Sequence, residues 1–225
     1  MIEWTALVDA TGRSGVDNMA ADEALLGEVV KSGGAFLRLY RWAPPTLSIG
    51  RNQALDGIVQ NGVPWVRRPT GGQAVWHEHE VTYAVAAPIA MFGSLRKAYR
   101  EIHGRLANAL RTLGVDAELA TSPTVRPSGR PAACFAAPAG GEILVGGRKL
   151  VGSAQVRRGD AFLQHGSILL AGSQQKVAGA SGETTLDAVL GRAVTFDEVT
   201  TAIVENWDAS FRPSDRPDVA SIAPA

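Results

Sequence analysis

Residues 67–77 combine two arginines, a glycine pair and a histidine in an order that suits the binding of an anion. Gly71 and Gly72 let the backbone pass close to a ligand, because they carry no Cβ atom. Arg67 and Arg68 each offer a fork of N–H donors that matches phosphate or carboxylate oxygens. The segment has neither the Gly-Lys-Ser/Thr ending of a Walker loop nor a Gly-x-Gly-x-x-Gly fingerprint. It predicts an anion-binding loop beside a sheet, although a Gly-Gly pair near arginines also occurs in ordinary hairpins.

A nucleophile and a cation follow further along the chain. Cys134 is the single cysteine, and it lies in a proline-rich segment, residues 121–138. A cysteine is commonly a small buried apolar residue, but reactive groups concentrate on loops that a rigid scaffold holds. A thiol is mostly protonated at neutral pH, so a nucleophilic role needs a cation nearby. Lys149 could be that cation, although the sequence from Gly146 to Lys149 is also typical of a surface hairpin turn.

Small and polar residues mark two of the predicted strands. Gly152-Ser153-Ala154 would weaken a strand unless something else packs there, and an apolar ligand chain would explain it. The sequence Gln164-His165-Gly166-Ser167 interrupts an apolar strand, so His165 either orients a ligand or is a hydrogen-bonded core residue. His77 and His79 would share one face of a strand and could ligate zinc. A third ligand is not evident, so we expect no metal site.

Composition narrows the class of protein. The chain has 225 residues, 22 basic and 22 acidic side chains and no formal net charge, whereas nucleic-acid binders usually carry a basic excess. The first residues lack the features of a signal peptide, and the longest weakly polar run, residues 81–92, is too short to cross a membrane. A single cysteine excludes internal disulfides and suits a reducing compartment. We therefore expect a cytoplasmic protein that binds neither nucleic acid nor membrane.

Hydrophobic patterning predicts one α+β domain with a mixed β-sheet flanked by helices. One helix is expected to begin with Asp17 or Asn18 as its N-cap and to end near Gly33, and a long amphipathic helix covers residues 94–113. Two more helices begin at Thr185 and at Thr195, the second with a capping box. Strands are predicted at residues 4–8, 35–40, 47–50, 63–67, 74–77, 81–87, 142–145, 149–156 and 161–170. The expected domain covers residues 1–211, and residues 212–225 form a flexible tail.

Five collinear motifs resemble the lipoate–protein ligase and octanoyltransferase superfamily. They span nearly the whole chain, from Trp4 to Phe211, and together are far more specific than any one alone. The resemblance implies the fold shared by class II aminoacyl-tRNA synthetases and biotinyl/lipoyl protein ligases, which agrees with the predicted mixed sheet. The motifs are Asn18-Met-Ala-Ala-Asp-Glu-Ala-Leu-Leu26, residues 37–42 with 47–53, residues 67–77 with 80–83, Gly147-Arg-Lys-Leu-Val-Gly-Ser-Ala-Gln155, and residues 163–170.

Within this superfamily the chain is most similar to the cysteine-dependent octanoyltransferases of the Bacillus type. Gln73 stands where the ligases usually have a third glycine, and Cys134-Phe135 precedes the Gly-Arg-Lys strand. The resemblance implies that Cys134 takes an octanoyl group from acyl carrier protein as a thioester, and that Lys149 stabilises the thiolate and the oxyanion. A lysine of a lipoyl domain or of a glycine-cleavage H-type protein then receives the group. A monomer without cofactors is expected.

The resemblance also implies a substrate site and leaves two alternatives. One alternative is an ATP- and magnesium-dependent lipoate–protein ligase, in which Lys149 grips the acyl-adenylate and Cys134 is incidental. The other is a non-catalytic relative that binds lipoyl domains. The implied substrate-binding residues are Arg67, Arg68, Thr70, Gly71, Gly72, Gln73, His77, Gly152, Ser153, Ala154 and His165.

Overall fold

The computed structural model describes residues 3–55, 58, 62–121, 140–177 and 182–207. Cys134 and the expected tail at residues 212–225 lie outside these described residues. None of the described helices is long and apolar enough to cross a membrane. The strands are β1 (Trp4–Arg13), β2 (Ala35–Trp42), β3 (Thr46–Ile49), β4 (Trp65–Arg67), β5 (Val75–His77), β6 (Glu80–Pro88), β7 (Glu118–Leu119), β8 (Ile143–Val145), β9 (Arg148–Arg158) and β10 (Ala161–Leu169). The helices are α1 (Gly15–Ser32), α2 (Leu95–Thr112), α3 (Leu186–Leu190) and α4 (Phe196–Trp207), with a 3₁₀ turn at Ile89–Met91.

The strands form two sheets. The larger sheet has seven strands in the order β1-β2-β6-β10-β9-β8-β7, and the smaller has three in the order β4-β3-β5. β1 pairs with β2 in parallel, and the other pairs of the larger sheet are antiparallel. The smaller sheet is also mixed, because β3 is parallel to β4 and antiparallel to β5. The predicted α+β architecture with a mixed sheet is confirmed.

Alternation along the central strands builds a core on each face of the larger sheet. On β6, Val81, Tyr83 and Val85 pack in the core that α2 and α4 cover. Ala84 and Ala86 lie on the opposite face, in the core that α1 covers. Because side chains alternate across a strand, β6 is buried on both sides and reads almost uniformly apolar.

The start of α1 differs from the predicted one. Its N-cap is Ser14, whose hydroxyl accepts a hydrogen bond from the backbone N–H of Asp17 at 3.1 Å. Asn18 is instead buried, and its amide donates to the carbonyl oxygen of Arg41 at 2.9 Å. The prediction of Asp17 or Asn18 as the N-cap was wrong because the first residue of α1 is Gly15, and glycine is not a residue that normally indicates a helix. A Cβ at Gly15 would lie 2.8 Å from the Thr46 methyl, so a glycine is needed where the helix begins against β3.

The other helix limits agree closely with their local signals. α1 ends at Gly33, which has φ +72°. α2 begins after Ser94, whose hydroxyl accepts from the N–H of Lys97 at 3.2 Å. The hydroxyl of Thr195 accepts from the N–H of Glu198 at 3.2 Å, as the predicted capping box requires. The short strand β7, which pairs with β8, was not predicted, because two residues carry no detectable period.

Candidate active site

A pocket opens on the face of the larger sheet that carries α1, and residues of both sheets line it. It holds about 360 Å³ of empty space, part of it open to solvent. The lining residues come from α1, from six strands and from the segment after β4: Met19, Tyr40, Trp42, Ser48, Arg68, Val75, His77, Thr82, Gly152, Ser153, Ala154, His165, Gly166 and Ser167.

Small residues on β9 and β10 leave the space for this pocket. Gly152 pairs in register with Ser167, and Ala154 with His165. Gly166, opposite Ser153, also cannot carry a side chain, but its Cβ would point to the α2 face of the sheet, where it would collide with the Ser153 hydroxyl and lie 2.8 Å from the Tyr83 ring. The small side chains predicted to make room for a ligand therefore do line a pocket.

A hydrogen-bonded chain of Ser48, His77 and Glu80 forms one wall. The Ser48 hydroxyl lies 2.7 Å from His77 Nε2, and His77 Nδ1 lies 2.7 Å from the Glu80 carboxylate. The Thr82 hydroxyl and, at 2.8 Å, the Ser167 hydroxyl donate to the same carboxylate oxygen. These contacts direct the hydroxyl and imidazole groups into the wall rather than into the pocket.

The predicted pairing of His77 with His79 is wrong. His77 is buried and stacks on the Trp42 ring at 3.9 Å between ring centres. His79 follows the end of β5, and its side chain is 60% exposed. The strand ends before His79, so the alternation that would place both rings on one face is lost. Among the described residues, no group of three or more histidine, cysteine, aspartate or glutamate side chains is arranged to hold a metal.

His165 belongs to a second buried chain. Its Nδ1 lies 2.9 Å from the Asp22 carboxylate, and its Nε2 lies 2.7 Å from the Thr70 hydroxyl. Asp22 also accepts from the Tyr40 hydroxyl at 2.9 Å and from the Arg38 guanidinium at 2.9 Å. Burial lowers the pKa of His165, although Asp22 opposes this shift. The imidazole is therefore neutral, with Nδ1–H donating to Asp22 and Nε2 accepting from Thr70.

Both arginines of the 67–77 segment bind backbone carbonyls. Arg68 donates to the carbonyl oxygens of Gly71 at 2.9 Å and Gln73 at 2.6 Å, and to the Ser48 hydroxyl at 3.0 Å. Arg67 donates through Nη1 to three carbonyl oxygens in residues 50–53, the nearest at 2.8 Å. These contacts hold two loops at the edge of the pocket. Binding of an anion by this arginine pair stays a prediction.

Lys149 lies on β9 as one half of a buried ion pair. Its Nζ is 2.7 Å from the Glu142 carboxylate, and both side chains are 3% exposed. Lys149 does not line the pocket itself, but Ser153 on the same strand does. Cys134, the other predicted catalytic residue, lies outside the described residues.

The described residues bring most of the predicted site together and add members that the sequence did not reveal. Six predicted residues line the pocket, namely Arg68, His77, Gly152, Ser153, Ala154 and His165. Thr70 lies one hydrogen bond behind them, and Gly71 and Gln73 are tied to Arg68. The additional pocket residues are Met19, Tyr40, Trp42, Ser48, Val75, Thr82, Gly166 and Ser167. Polar residues inside apolar strands, such as Ser48 and Thr82, were the available signal.

Comparison with known proteins agrees with this fold. The model of the lipoyl protein ligase A/B catalytic domain matches residues 14–208. The chain is 43% identical over 179 residues to the octanoyltransferase LipM of Carboxydothermus hydrogenoformans, and 45% identical over 183 residues to that of Moorella thermoacetica. Each match covers 75% of this chain and 66% of the relative, just under two thirds of its length.

Solved structures share the fold at low sequence identity. A lipoate-protein ligase A crystallised with ATP superposes with a TM-score of 0.79 at 23% identity, over 99% of this chain and 93% of that chain. A bi-partite lipoate protein ligase from Thermoplasma acidophilum gives 0.72 at 21% identity, over 99% and 91%. Because the domain model covers most of the sequence, the chain belongs to the lipoyl protein ligase A/B catalytic domain family.

Proposed function

We propose that the protein is an acyltransferase that moves an octanoyl group from acyl carrier protein to a lysine of a lipoyl domain or of a glycine-cleavage H-type protein. The proposal follows the names of the relatives, which are octanoyltransferases at 43–45% identity. Residues 1–211 would form the catalytic domain. The solved ligase from Thermoplasma acidophilum was studied with its E2 lipoyl domain, which supports a lipoyl domain as the class of acceptor.

The observation that carries the proposal is the saturation of the pocket lining. Each side-chain nitrogen or oxygen of the lining residues already has a hydrogen-bond partner within the protein, as shown for Ser48, His77 and His165. The same holds for the other polar members of the lining. A ligand in this pocket loses its contact with water and gains few hydrogen bonds in return. Only an apolar chain enters without leaving its own polar groups unpaired, and a saturated octanoyl chain meets that condition.

The chemistry proposed for the pocket mouth uses Cys134 and Lys149. The Cys134 thiolate attacks the carbonyl carbon of the carrier thioester, and the carrier's thiol leaves with a proton. The acceptor amine then attacks the new thioester, so that an amide forms and the cysteine sulfur is released. Lys149 would stabilise the oxyanion in both steps by its positive charge, and its ion pair with Glu142 holds that charge in a buried place. A thioester lies uphill of an amide, so neither ATP nor another cofactor is proposed.

Intact-mass measurement with octanoyl-acyl carrier protein tests this function. We expect the wild type to gain one octanoyl group without ATP, and to pass it to a lipoyl domain. The Cys134→Ser variant should gain no thioester, and hydroxylamine should strip the group from the wild type. An unmodified wild type, together with lipoylation of the domain by Cys134→Ser in the presence of lipoate, ATP and magnesium, would replace the proposal with a ligase. Binding of the domain without turnover in both assays would indicate a non-catalytic relative.

A further inference from the structure

His103 lies on α2, on the face of the larger sheet opposite α1, and the sequence did not mark it as a site residue. Its two ring nitrogens contact two different parts of the molecule. Nδ1 is 2.7 Å from the carbonyl oxygen of Gly141. Nε2 is 2.8 Å from the Ser153 hydroxyl and 3.0 Å from the Tyr83 hydroxyl. The side chain is fully buried, so both contacts form away from water.

The partners determine which nitrogen carries the proton. A carbonyl oxygen only accepts hydrogen bonds, so Nδ1 must be the donor and Nε2 the acceptor. Burial, the hydrogen bond to Gly141 and the positive charge of Lys149 together set the pKa of His103 at about 3: burial lowers the pKa most, the hydrogen bond raises it, and Lys149 lowers it. The ring is therefore neutral at any pH where the protein works. It donates to the Gly141 carbonyl oxygen on one side and accepts from a hydroxyl group on the other, the Ser153 hydroxyl being the nearer.

Each contact of His103 leads to a different part of the proposed reaction centre. Ser153 belongs to the stretch of β9 that lines the acyl pocket, with its hydroxyl on the α2 side of the sheet. Gly141 immediately precedes Glu142, whose carboxylate holds Lys149 at 2.7 Å. The backbone here is pinned on both sides, because Gly141 N–H donates to the Ala120 carbonyl and Ala120 N–H donates to the Glu142 carbonyl, each at 2.7 Å. His103 is the side chain that ties this backbone to the pocket wall.

We propose that His103 is a positioning residue that links the acyl pocket to the Glu142–Lys149 ion pair. Its Nε2 holds the Ser153 hydroxyl on the α2 side of β9, directly behind the pocket-facing residues Gly152 and Ala154, and its Nδ1–H holds the backbone from which Glu142 reaches Lys149. The link rests on the proposed function, since it assigns Lys149 to the reacting carbonyl. An acyl chain that presses on β9 at Gly152 or Ala154 would thereby act, through Ser153 and His103, on the placement of Lys149.

Two substitutions separate the two contacts. An asparagine amide reaches about as far as Nδ1, so His103→Asn retains a donor for Gly141 and loses the acceptor for Ser153. A glutamine amide reaches about as far as Nε2, so His103→Gln retains a partner for Ser153 and loses the donor for Gly141. His103→Phe removes both. The two amide variants therefore test the contact with Ser153 and the contact with Gly141 separately, without a change of charge.

Steady-state kinetics with octanoyl-acyl carrier protein and a lipoyl domain give the readout. We expect His103→Gln to lower kcat about tenfold, equivalent to about 1.4 kcal/mol in the barrier, with KM for the carrier near that of the wild type. His103→Asn should raise KM several-fold at nearly unchanged kcat. His103→Phe should show both changes. Ile102→Val, a buried core change one residue away, serves as the control for a general loosening of α2 and should shift neither constant.

If the two amide variants changed kcat and KM equally, or changed neither, the inference would be overturned. The proposed function would still stand, provided that the wild type transfers the octanoyl group. If the wild type transferred no octanoyl group, the proposed function would fail on its own. The link is then judged by the ¹⁵N imidazole spectrum of His103 with octanoic acid as the probe. A neutral Nδ1–H tautomer whose signals, together with the Gly141 amide, shift on binding supports the link, and binding without any such shift refutes it.

Discussion

Replacement of Asp22 by alanine should cost much of the protein's stability. The carboxylate is fully buried and accepts from Arg38, Tyr40 and His165, each at 2.9 Å. The Arg38 side chain is itself 0% exposed. The substitution would therefore leave a buried cation short of its nearest counter-charge and two neutral donors without their acceptor.

The size of the effect follows from these contacts. Removing one partner of a buried ion pair costs roughly 3–5 kcal/mol. Arg38 keeps the Asp9 carboxylate at 3.3 Å and the Asn18 side-chain oxygen at 2.7 Å, which favours the lower end of that range. The loss of two neutral hydrogen bonds adds about 2 kcal/mol. We expect a decrease of about 5 kcal/mol in the free energy of unfolding, which for a chain of this size lowers Tm by roughly 10–20 °C.

Urea denaturation followed by circular dichroism measures the change, with a thermal scan beside it. Glu23→Ala is the matched control, since Glu23 is the next residue of α1 and forms only an exposed pair with Arg158 at 3.9 Å. Such a pair is worth at most about 1 kcal/mol. The free energy of unfolding of Asp22→Asn should lie between those of the two variants. The amide keeps one acceptor oxygen, but its NH₂ group faces neighbours that are themselves donors. Equal stability of Asp22→Ala and Glu23→Ala would refute the reasoning.

Three further outcomes are expected. Ala154→Leu fills the pocket, so kcat/KM should fall for octanoyl carrier much more than for butyryl carrier in a chain-length series; equal losses would contradict the assigned pocket. The pKa of His103 is about 3 against a usual 6.5, so the unfolded chain binds more protons between these values. Stability should therefore fall as pH drops below about 6.5, by up to about 1.4 kcal/mol per pH unit, and urea titrations of His103→Gln at pH 7 and pH 5 should show a smaller fall. A Cβ at Gly50 would collide with the carbonyl oxygen of Gly72, so Gly50→Ala should displace that loop and lower kcat/KM, whereas Gly27→Ala, with open space around it, should leave activity unchanged.

Several elements could be predicted because their signals are local. The caps Ser94, Thr195 and Gly33 act within one helical turn, so the residues around them suffice to place the helix ends. The small residues Gly152 and Ala154 are also a local signal, because they are close together in one predicted strand, and they indicated a ligand beside that strand. The one wrong cap, at α1, shows the limit. Gly15 begins that helix because it packs against β3, and this contact joins residues that are distant along the chain.

The partners of the polar side chains were decided only by the tertiary structure. Asp22 and His165 are 143 residues apart, and His103 and Ser153 are 50 residues apart. A sequence shows that a histidine or an arginine is present, but not whether its donors face a ligand or a carbonyl oxygen. Arg67 and Arg68, predicted to bind an anion, hold backbone loops in the folded chain. The order of the motifs along the chain was enough to indicate the family and its sheet. Motif order is a property of the sequence itself, and it fixes the order in which the strands and helices occur. The pairing of the polar side-chain atoms of the pocket-lining residues depends on which strands lie side by side, and long-range packing alone decides that.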